Sequence, residues 1–551
     1  KIHFLNDYIA DIKNEFAGYN KKRFSKDLMA GITVAAVALP LALAFGVSSG
    51  ATAAAGLVTA IIGGIVISVL SGASFQISGP TGAMTAILVT LAAKYGMQGI
   101  LIACFLAGII LIVAGVLKLG RIICYIPSSV ITGFTSGIAI IIALGQLDNF
   151  FGVTSEGELA IEKVISYFRI GFHPDIPTMC IGLGVIIFMI IWPKKLNSKV
   201  PSSLAALVIV LIVNHFAKLD VAVVGEIPQS IILSERLSFA AFNISQFWDL
   251  FVPALSIAAL GMIESLLCGA SAGKMKKEEL NADRELIAQG IGNIVIPFFG
   301  GIPATAAIAR TSVAIKAGCE TRIAGVIHAV ILLLSMFVLA PVMSAIPLSA
   351  LAGILIVTAW RMNDWDNIHF IFEHKFKSGI TKFLITMGAT VVLDLTQAIV
   401  IGVAVSVILI LFRLTDLQIN VSDVDEERLK EAGVDLPKVS GNVRVAYLTG
   451  VIFFAVIDEL VKKLHEHEGK TEAIILSMRG VPVMDLSGIQ ALIDLVEELE
   501  GNGTEVYLAS VQPNVLELME RGGLIDLVGE QYIFDDAAKA IVVAESEHRG
   551  K

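Results

Sequence analysis

Charge is scarce in this sequence. Only 16% of its 551 residues are Asp, Glu, Lys or Arg, against 56% hydrophobic residues and a mean hydropathy of +0.80. A soluble protein of this size cannot hide so much apolar surface in one core, so composition alone points to a membrane. Basic residues are in the minority. The formal net charge is −9, and the acidic excess lies largely in the C-terminal tail, which leaves no case for nucleic-acid binding. Cysteine is rare: Cys104, Cys124, Cys180, Cys268 and Cys319 are scattered through the apolar region. An odd, irregularly spaced set excludes a disulfide framework or a zinc site and reads as membrane-buried thiols. A cleavable leader is not expected, because the first 27 residues (DIKNEFAGYNKKRFSKD from Asp11) are mixed and charged. With Lys1 in place of Met, a trimmed chain is expected.

Catalytic signatures are missing too. GASAGKM (269–275) has three residues between its glycines where a phosphate loop needs four, and Met follows its Lys, so ATP-driven pumping has no support. His465 and His467 are two apart on a charged helix and point in nearly opposite directions, which makes no metal pair. Neither a Ser/His/Asp set nor a carboxylate pair stands out. We expect a non-enzyme with no cofactor and no metal.

What the sequence has is long apolar runs. About fourteen candidate membrane segments lie near 29–46, 51–70, 77–93, 98–117, 126–147, 177–192, 202–216, 251–272, 286–299, 304–316, 322–341, 345–360, 378–393 and 395–413. Basic clusters at Lys21–Lys26, Lys118–Arg121, Lys194–Lys199, Lys274–Arg284 and Arg361–Lys382 all fall on one side if segments alternate from a cytoplasmic N-terminus. The loops at 148–176 and 217–250, with two Lys/Arg each, then face outside. An even number of crossings returns the C-terminus to the cytoplasm. Beyond a polar linker at 414–438, residues 439–551 alternate strand-like runs (RVAYLTG, AIILSMRG, EVYLASV, YIFDD) with helical ones such as SGIQALIDLVEELEGNG. That pattern predicts a helix-flanked sheet that folds by itself.

Two stretches interrupt the apolar runs in a similar way. QISGPTGAM (76–84) and FGGIPATAAIART (299–311) each place Gly and Pro before small residues that open a helix, in the third and tenth segments. Short, Gly/Pro-broken segments at corresponding places in two halves point to a transporter binding site, and seven crossings per half require the halves to be inverted. A half-helix N-terminus leaves up to four N–H groups unpaired and carries about half a positive charge, so two of them facing each other make an anion site. Gly79, Gly82, Ala83, Ala304, Ala306 and Ala307 let the backbone approach a ligand, while Thr81 and Thr305 offer hydroxyls. The plainer alternative is a pair of proline kinks. Arg310, two turns into the second half-helix, is a full charge within a membrane segment and a functional candidate by default; a structural ion pair or a snorkelling side chain is its alternative. Glu264 is the other intramembrane charge. A carboxyl there is suited to taking up a proton or ligating sodium, and pairing with Arg310 is compatible with either role. Asp394 reads as capping or structural, and His215 and His328 as packed or hydrogen-bonded.

Taken in order, QISGPTGAM, GRIICYIPSSVITGFTSGIAI, LGMIESLL and FGGIPATAAIART resemble the SulP (SLC26-type) anion transporter family. VPVMDLSGIQAL in the tail resembles its STAS domain (sulfate transporter and anti-sigma factor antagonist). The resemblance implies a polytopic α-helical membrane protein of fourteen segments in two inverted repeats of seven, plus a cytoplasmic α/β STAS domain. It also implies a mobile core (segments 1–4 and 8–11), a gate (5–7 and 12–14), homodimers and elevator-like movement. FGGIPATAAIARTS and VLAPVMSAIPLSALAGILIVTAW look most similar to bacterial C4-dicarboxylate transporters, with the bicarbonate branch less so. The sodium ligands of that branch fall on Glu264, Cys268 and Ile308, and the loss of both hydroxyls tilts the reading toward proton coupling through Glu264. The Ser-Arg pair that meets the anion in animal relatives reads Ala309-Arg310, so only the arginine carries over. Ser487, in Asp485-Leu486-Ser487-Gly488, corresponds to the phosphorylated position of soluble STAS proteins, with helix N-capping as the alternative.

The candidate substrate-binding residues are Gln76, Ser78, Gly79, Thr81, Gly82, Ala304, Thr305, Ala306, Ala307, Ile308 and Arg310, with Glu264 for coupling and Ser487 for regulation. The expected function is proton-coupled C4-dicarboxylate uptake across a bacterial inner membrane, with both termini cytoplasmic. The alternatives are sodium-coupled bicarbonate or sulfate transport, an anion channel, or a sensor whose membrane part anchors the STAS domain. The expected partners are a small anion, protons, the lipid bilayer, a second copy of the chain and a cytoplasmic protein on the STAS domain.

Overall fold

A computed structural model describes residues 3–121, 126–157, 160–197, 200–238, 244–393, 395–414, 418–425, 429, 439–453, 456, 461–463 and 471–548. Cys124, Asp394, His465 and His467 lie outside the described residues. The chain divides into two compact units, Lys1–Val405 and Ser406–Lys551.

The first unit opens with α1 (His3–Glu15), followed by α2 (Lys21–Ser48), α3 (Ala53–Leu70), α4 (Gly82–Val116) and α5 (Ser128–Gly145). Then come α6 (Ile176–Ile191), α7 (Ser202–Ala217), α8 (Ile244–Lys276), α9 (Ala282–Val295), α10 (Ile308–Lys316), α11 (Ile323–Ser344), α12 (Leu348–Met362) and α13 (Lys377–Val392), while α14 (Leu395–Leu414) runs across the boundary at Val405. Within α4, Gly96 has φ 65° and ψ −167°, a backbone state that only glycine adopts freely, and it divides the element into two helices. With α4 counted twice, α2 to α14 supply a helix for each of the fourteen expected segments. GASAGKM lies inside α8, a helix interior and no phosphate loop.

Packing sorts these helices into two groups. α2, α3, α4, α8, α9 and α11 pack on one another, as do α5, α6, α7, α12 and α13. Small residues let backbones meet where no hydrophobic force between helices operates. A Cβ on Gly56 would lie 2.0 Å from the Ala42 carbonyl of α2, and one on Gly108 would lie 2.6 Å from the Gly290 carbonyl of α9. Those contacts lock α2 to α3 and α4 to α9. Cys104, Cys268 and Cys319 are buried within the protein, while Cys180 lies on the protein surface of the apolar helix α6.

The second unit is a five-stranded sheet in the order β3-β4-β5-β6-β7, with β3 (Gln418–Asp423), β4 (Val443–Thr449), β5 (Ala473–Gly480), β6 (Glu505–Ala509) and β7 (Ile533–Phe534). β3 is antiparallel to β4 and the others are parallel. α15 (Leu486–Gly501), α16 (Pro513–Gly522) and α17 (Ala537–Glu547) flank it. The strand alternation buries Ala446, Leu448, Ile474 and Leu476 on one face and Val443, Val445 and Ile475 on the other. β3 corrects the sequence reading, which gave 414–438 to a linker. Ile419 and Val421 alternate toward the sheet's core, and six residues pair with β4. A fragment of residues 418–551 is therefore expected to melt at a higher temperature than 439–551. Each 1 kcal/mol that the pairing contributes raises Tm by about 4 °C in a domain of this size. Equal melting temperatures in circular dichroism would show that β3 adds nothing.

Candidate functional site

The two Gly/Pro breaks meet. Ser78–Gly79 (β1) pairs antiparallel with Thr305–Ala306 (β2), in the register Ser78 to Ala306 and Gly79 to Thr305. The Ala307 N–H donates to the Ile77 carbonyl at 3.0 Å and extends the ladder by one bond. Because β1 leads into α4 and β2 into α10, this short pairing sets two helix N-termini beside each other with their helices running apart. The opposed directions are what inverted repeats require. α10 is nine residues long, about 13 Å, less than half the hydrocarbon thickness.

Neither N-terminus is closed by a side chain. Thr81 occupies the N-cap of α4, where a hydroxyl ordinarily accepts from the first turn. Its Oγ1 instead donates to Glu264 Oε2 at 2.8 Å. At α10 the N-cap is Ala307, which has no acceptor to offer. Both first turns keep backbone N–H groups without a side-chain cap, the electropositive arrangement that favours an anion.

Arg310 adds the full charge. The sequence placed it two turns into the half-helix; since 305–306 form β2, the helix begins at Ile308 and Arg310 sits in its first turn. It is 1% exposed. Its Nη2 donates to the Pro80 carbonyl at 2.6 Å, and Nη1 has no hydrogen-bond partner among the described residues. A Cβ on Gly79 would lie 2.3 Å from Nη1, so only glycine leaves room for the guanidinium there. Glu264 takes its hydrogen bond from Thr81, and Arg310 gives its own to backbone; no direct Glu264–Arg310 ion pair forms.

Around this centre, α8 and α9 hold the strands. Gln76 Nε2 donates to the Ser265 carbonyl at 2.7 Å, Ser265 Oγ lies 2.8 Å from Thr305 Oγ1, and Thr305 Oγ1 donates to the Gly261 carbonyl at 3.2 Å. Ser78 Oγ accepts from Gln289 Nε2 at 2.8 Å. Gln76, Ser78, Gly79, Thr81, Ala304, Thr305, Ala306, Arg310 and Glu264 are thus brought together. Gly82 serves packing, since a Cβ there would lie 2.3 Å from Ile142 Cδ1 of α5. Ala307 is half-buried, while Ile308, at 47% exposed, stands outside the buried cluster. Cys268 Sγ bonds Thr311 Oγ1 at 3.3 Å. Sequence reasoning missed Ser265, Gln289 and Asn293. The four-residue spacing of Glu285, Gln289 and Asn293 was the signal that could have found the last two.

A cavity of about 850 Å³ lies beside the first half-helix, lined by Thr85, Ala86, Thr90 and Lys94 of α4 together with Ile142 and Ser256. None of the candidate residues lines it. His328 is buried, with Nδ1 2.5 Å from the Gly325 carbonyl, and His215 packs edge-on to Phe216. In the second unit Asp485 caps α15 by accepting from Gly488 N–H at 2.8 Å, so the capping role considered for Ser487 belongs to Asp485.

The sulfate permease family profile matches residues 24–387, and that of the STAS domain residues 436–540. The putative sulfate transporter YvdB of Bacillus subtilis is 34% identical over 94% of this chain and 98% of its own length. The bicarbonate transporter BicA of Picosynechococcus is 31% identical over 90% of each. Their names carry sulfate and bicarbonate, where the motifs resembled dicarboxylate transporters. The murine Solute Carrier 26 family member A9 anion transporter, in its inward-facing state, superposes with a TM-score of 0.82 at 20% identity, over 96% of this chain and 92% of that one, a likeness of fold. The transmembrane domain of a cyanobacterial BicA gives 0.63 at 29% identity, over 70% of this chain and 98% of that one. A helical membrane unit, a STAS unit and sequence matches along nearly the whole length lead to one assignment: the chain belongs to the sulfate permease family, with a C-terminal STAS domain.

Proposed function

We propose that the chain is a secondary transporter of a small anion, which sits between the α4 and α10 N-termini against Arg310 Nη1. One observation carries this reading: β1–β2 pairing joins two helix starts without side-chain caps to a buried guanidinium that has an unused N–H group. Backbone dipoles and a guanidinium accept carboxylate, bicarbonate and sulfate alike, so the substrate is a separate question. Relatives named for sulfate and bicarbonate favour those anions, while the tenth-segment motif favours a C4-dicarboxylate. In this reading Glu264 carries the coupling proton, because Cys268 and Ile308 lack the hydroxyls that a sodium site uses. The helix groups found above move as core and gate, in a homodimer embedded in a bacterial inner membrane with both termini cytoplasmic. Ser487 and the STAS domain supply regulation through a cytoplasmic partner.

Uptake into proteoliposomes tests it. Radiolabelled succinate, bicarbonate and sulfate are each offered under an inward pH gradient, then under a sodium gradient. Saturable, pH-driven uptake of one anion, competed by its congeners, is expected. Sodium-driven uptake indifferent to pH would return the sodium-coupled alternative, and a large unitary current would indicate a channel.

A further inference from the structure

α9 presents a polar edge that an apolar environment makes costly. Glu285, Gln289 and Asn293 recur every four residues, so they share one face, and each is at most 1% exposed. Polar groups within a membrane are expensive unless paired, and they mark function by default. Each of the three makes hydrogen bonds, with Gln289 Oε1 left without a partner among the described residues, and the bonds of Gln289 and Asn293 reach the two strands. Asn293 Nδ2 donates to the Ala304 carbonyl at 2.9 Å while its Oδ1 accepts from the Ala304 N–H at 2.8 Å. A side chain thereby acts as a neighbouring strand for the residue immediately before β2. Gln289 Nε2 donates to Ser78 Oγ of β1 and to Glu285 Oε1, both at 2.8 Å. Glu285 Oε2 accepts from Ser71 Oγ at 2.6 Å and from Gly72 N–H at 2.9 Å, at the end of α3. The ladder runs from the end of α3 to both strands.

α9 cannot drift. Beyond its backbone contact with Gly108, a Cβ on Gly292 would lie 2.3 Å from Ile67 Cγ1 of α3. A helix wedged this closely between α3 and α4 holds the side chains it carries in place, since packed interiors tolerate little displacement.

We infer that Gln289 and Asn293 are positioning residues for anion recognition: they set the spacing of β1 against β2, and hence of the two helix N-termini, with Glu285 as their anchor. This rests on the substrate site proposed above. It also goes beyond it, because neither residue touches the anion and both determine which anion fits. A site of preset width discriminates by size, and a loosened one discriminates less.

The test is uptake kinetics per correctly inserted transporter, with radiolabelled bicarbonate, sulfate and succinate, for wild type, Asn293→Ala, Asn293→Leu and Arg310→Ala. The expected result is a roughly tenfold rise in KM for the preferred anion in both Asn293 variants. Maximal rate should stay within about twofold, and the ratio of KM values between two anions should shift by about threefold or more. A merely structural residue would lower the amount of active protein and leave KM and the ratio alone. Unchanged KM and ratio in the Asn293 variants, with transport lost in Arg310→Ala, would overturn the ladder and leave the site standing. Unchanged KM in Arg310→Ala would overturn the site itself. Should Asn293→Ala not insert, Asn293→Leu decides, because its similar volume avoids a cavity.

Discussion

Gly79→Ala is expected to weaken substrate binding severely while leaving the protein folded in detergent. The added methyl would sit 2.3 Å from Arg310 Nη1 and 3.1 Å from Cζ, well inside contact distance. Either the guanidinium moves or the β1–β2 pairing opens, and the guanidinium is the softer of the two. Moving it removes a charge-assisted hydrogen bond to the anion and breaks the 2.6 Å bond to the Pro80 carbonyl. Bonds of that kind contribute about 1.5–3 kcal/mol each. Affinity falls tenfold per 1.4 kcal/mol, so a loss of about 100-fold is expected. Thr305→Leu should be as damaging to binding but riskier for folding, because it also strips partners from Ser265 Oγ and the Gly261 carbonyl. Binding is read by substrate-dependent thermal stabilisation, and folding by the elution profile in detergent. A monodisperse Gly79→Ala variant with wild-type affinity would mean that the anion sits elsewhere.

Glu264→Gln should uncouple transport from the proton gradient. Glutamine is nearly isosteric, and its carbonyl can still accept the Thr81 hydroxyl bond now made at 2.8 Å, so the local structure should hold. It cannot gain or lose a proton. One pH unit provides about 1.4 kcal/mol per proton, enough for roughly tenfold accumulation if one proton travels with each anion. In the variant that accumulation should fall to simple equilibration, while exchange of labelled for unlabelled substrate continues. Undiminished accumulation under an inward proton gradient would exclude Glu264 as the coupling group.

Much of this protein is determined by sequence alone, for local reasons. Apolar runs of membrane length have to be spans because the bilayer leaves no other place for them. Gly-Pro pairs such as Gly79-Pro80 break helices through backbone geometry that needs no tertiary context. The tail's alternation of strand and helix follows from apolar period, and its strands β4 to β7 lie where the sequence puts them.

Other features were decided only by the tertiary structure. Residues 305–306 are a strand and not the first turn of α10 because β1, more than 200 residues away in the chain, supplies the partner. That pairing moves Arg310 into the first turn and against Pro80. Thr81 looks like an ordinary cap until Glu264, on another helix, takes its hydroxyl. β3 was read as linker because its apolar residues count as a strand only beside β4. The α9 ladder went unseen for a reason peculiar to membranes. The four-residue spacing puts the three polar residues on one face, but lipid is as apolar as a protein core, so the apolar residues around them do not reveal what that face meets. Only the packed neighbours, Ser71, Ser78 and Ala304, show where Glu285, Gln289 and Asn293 point.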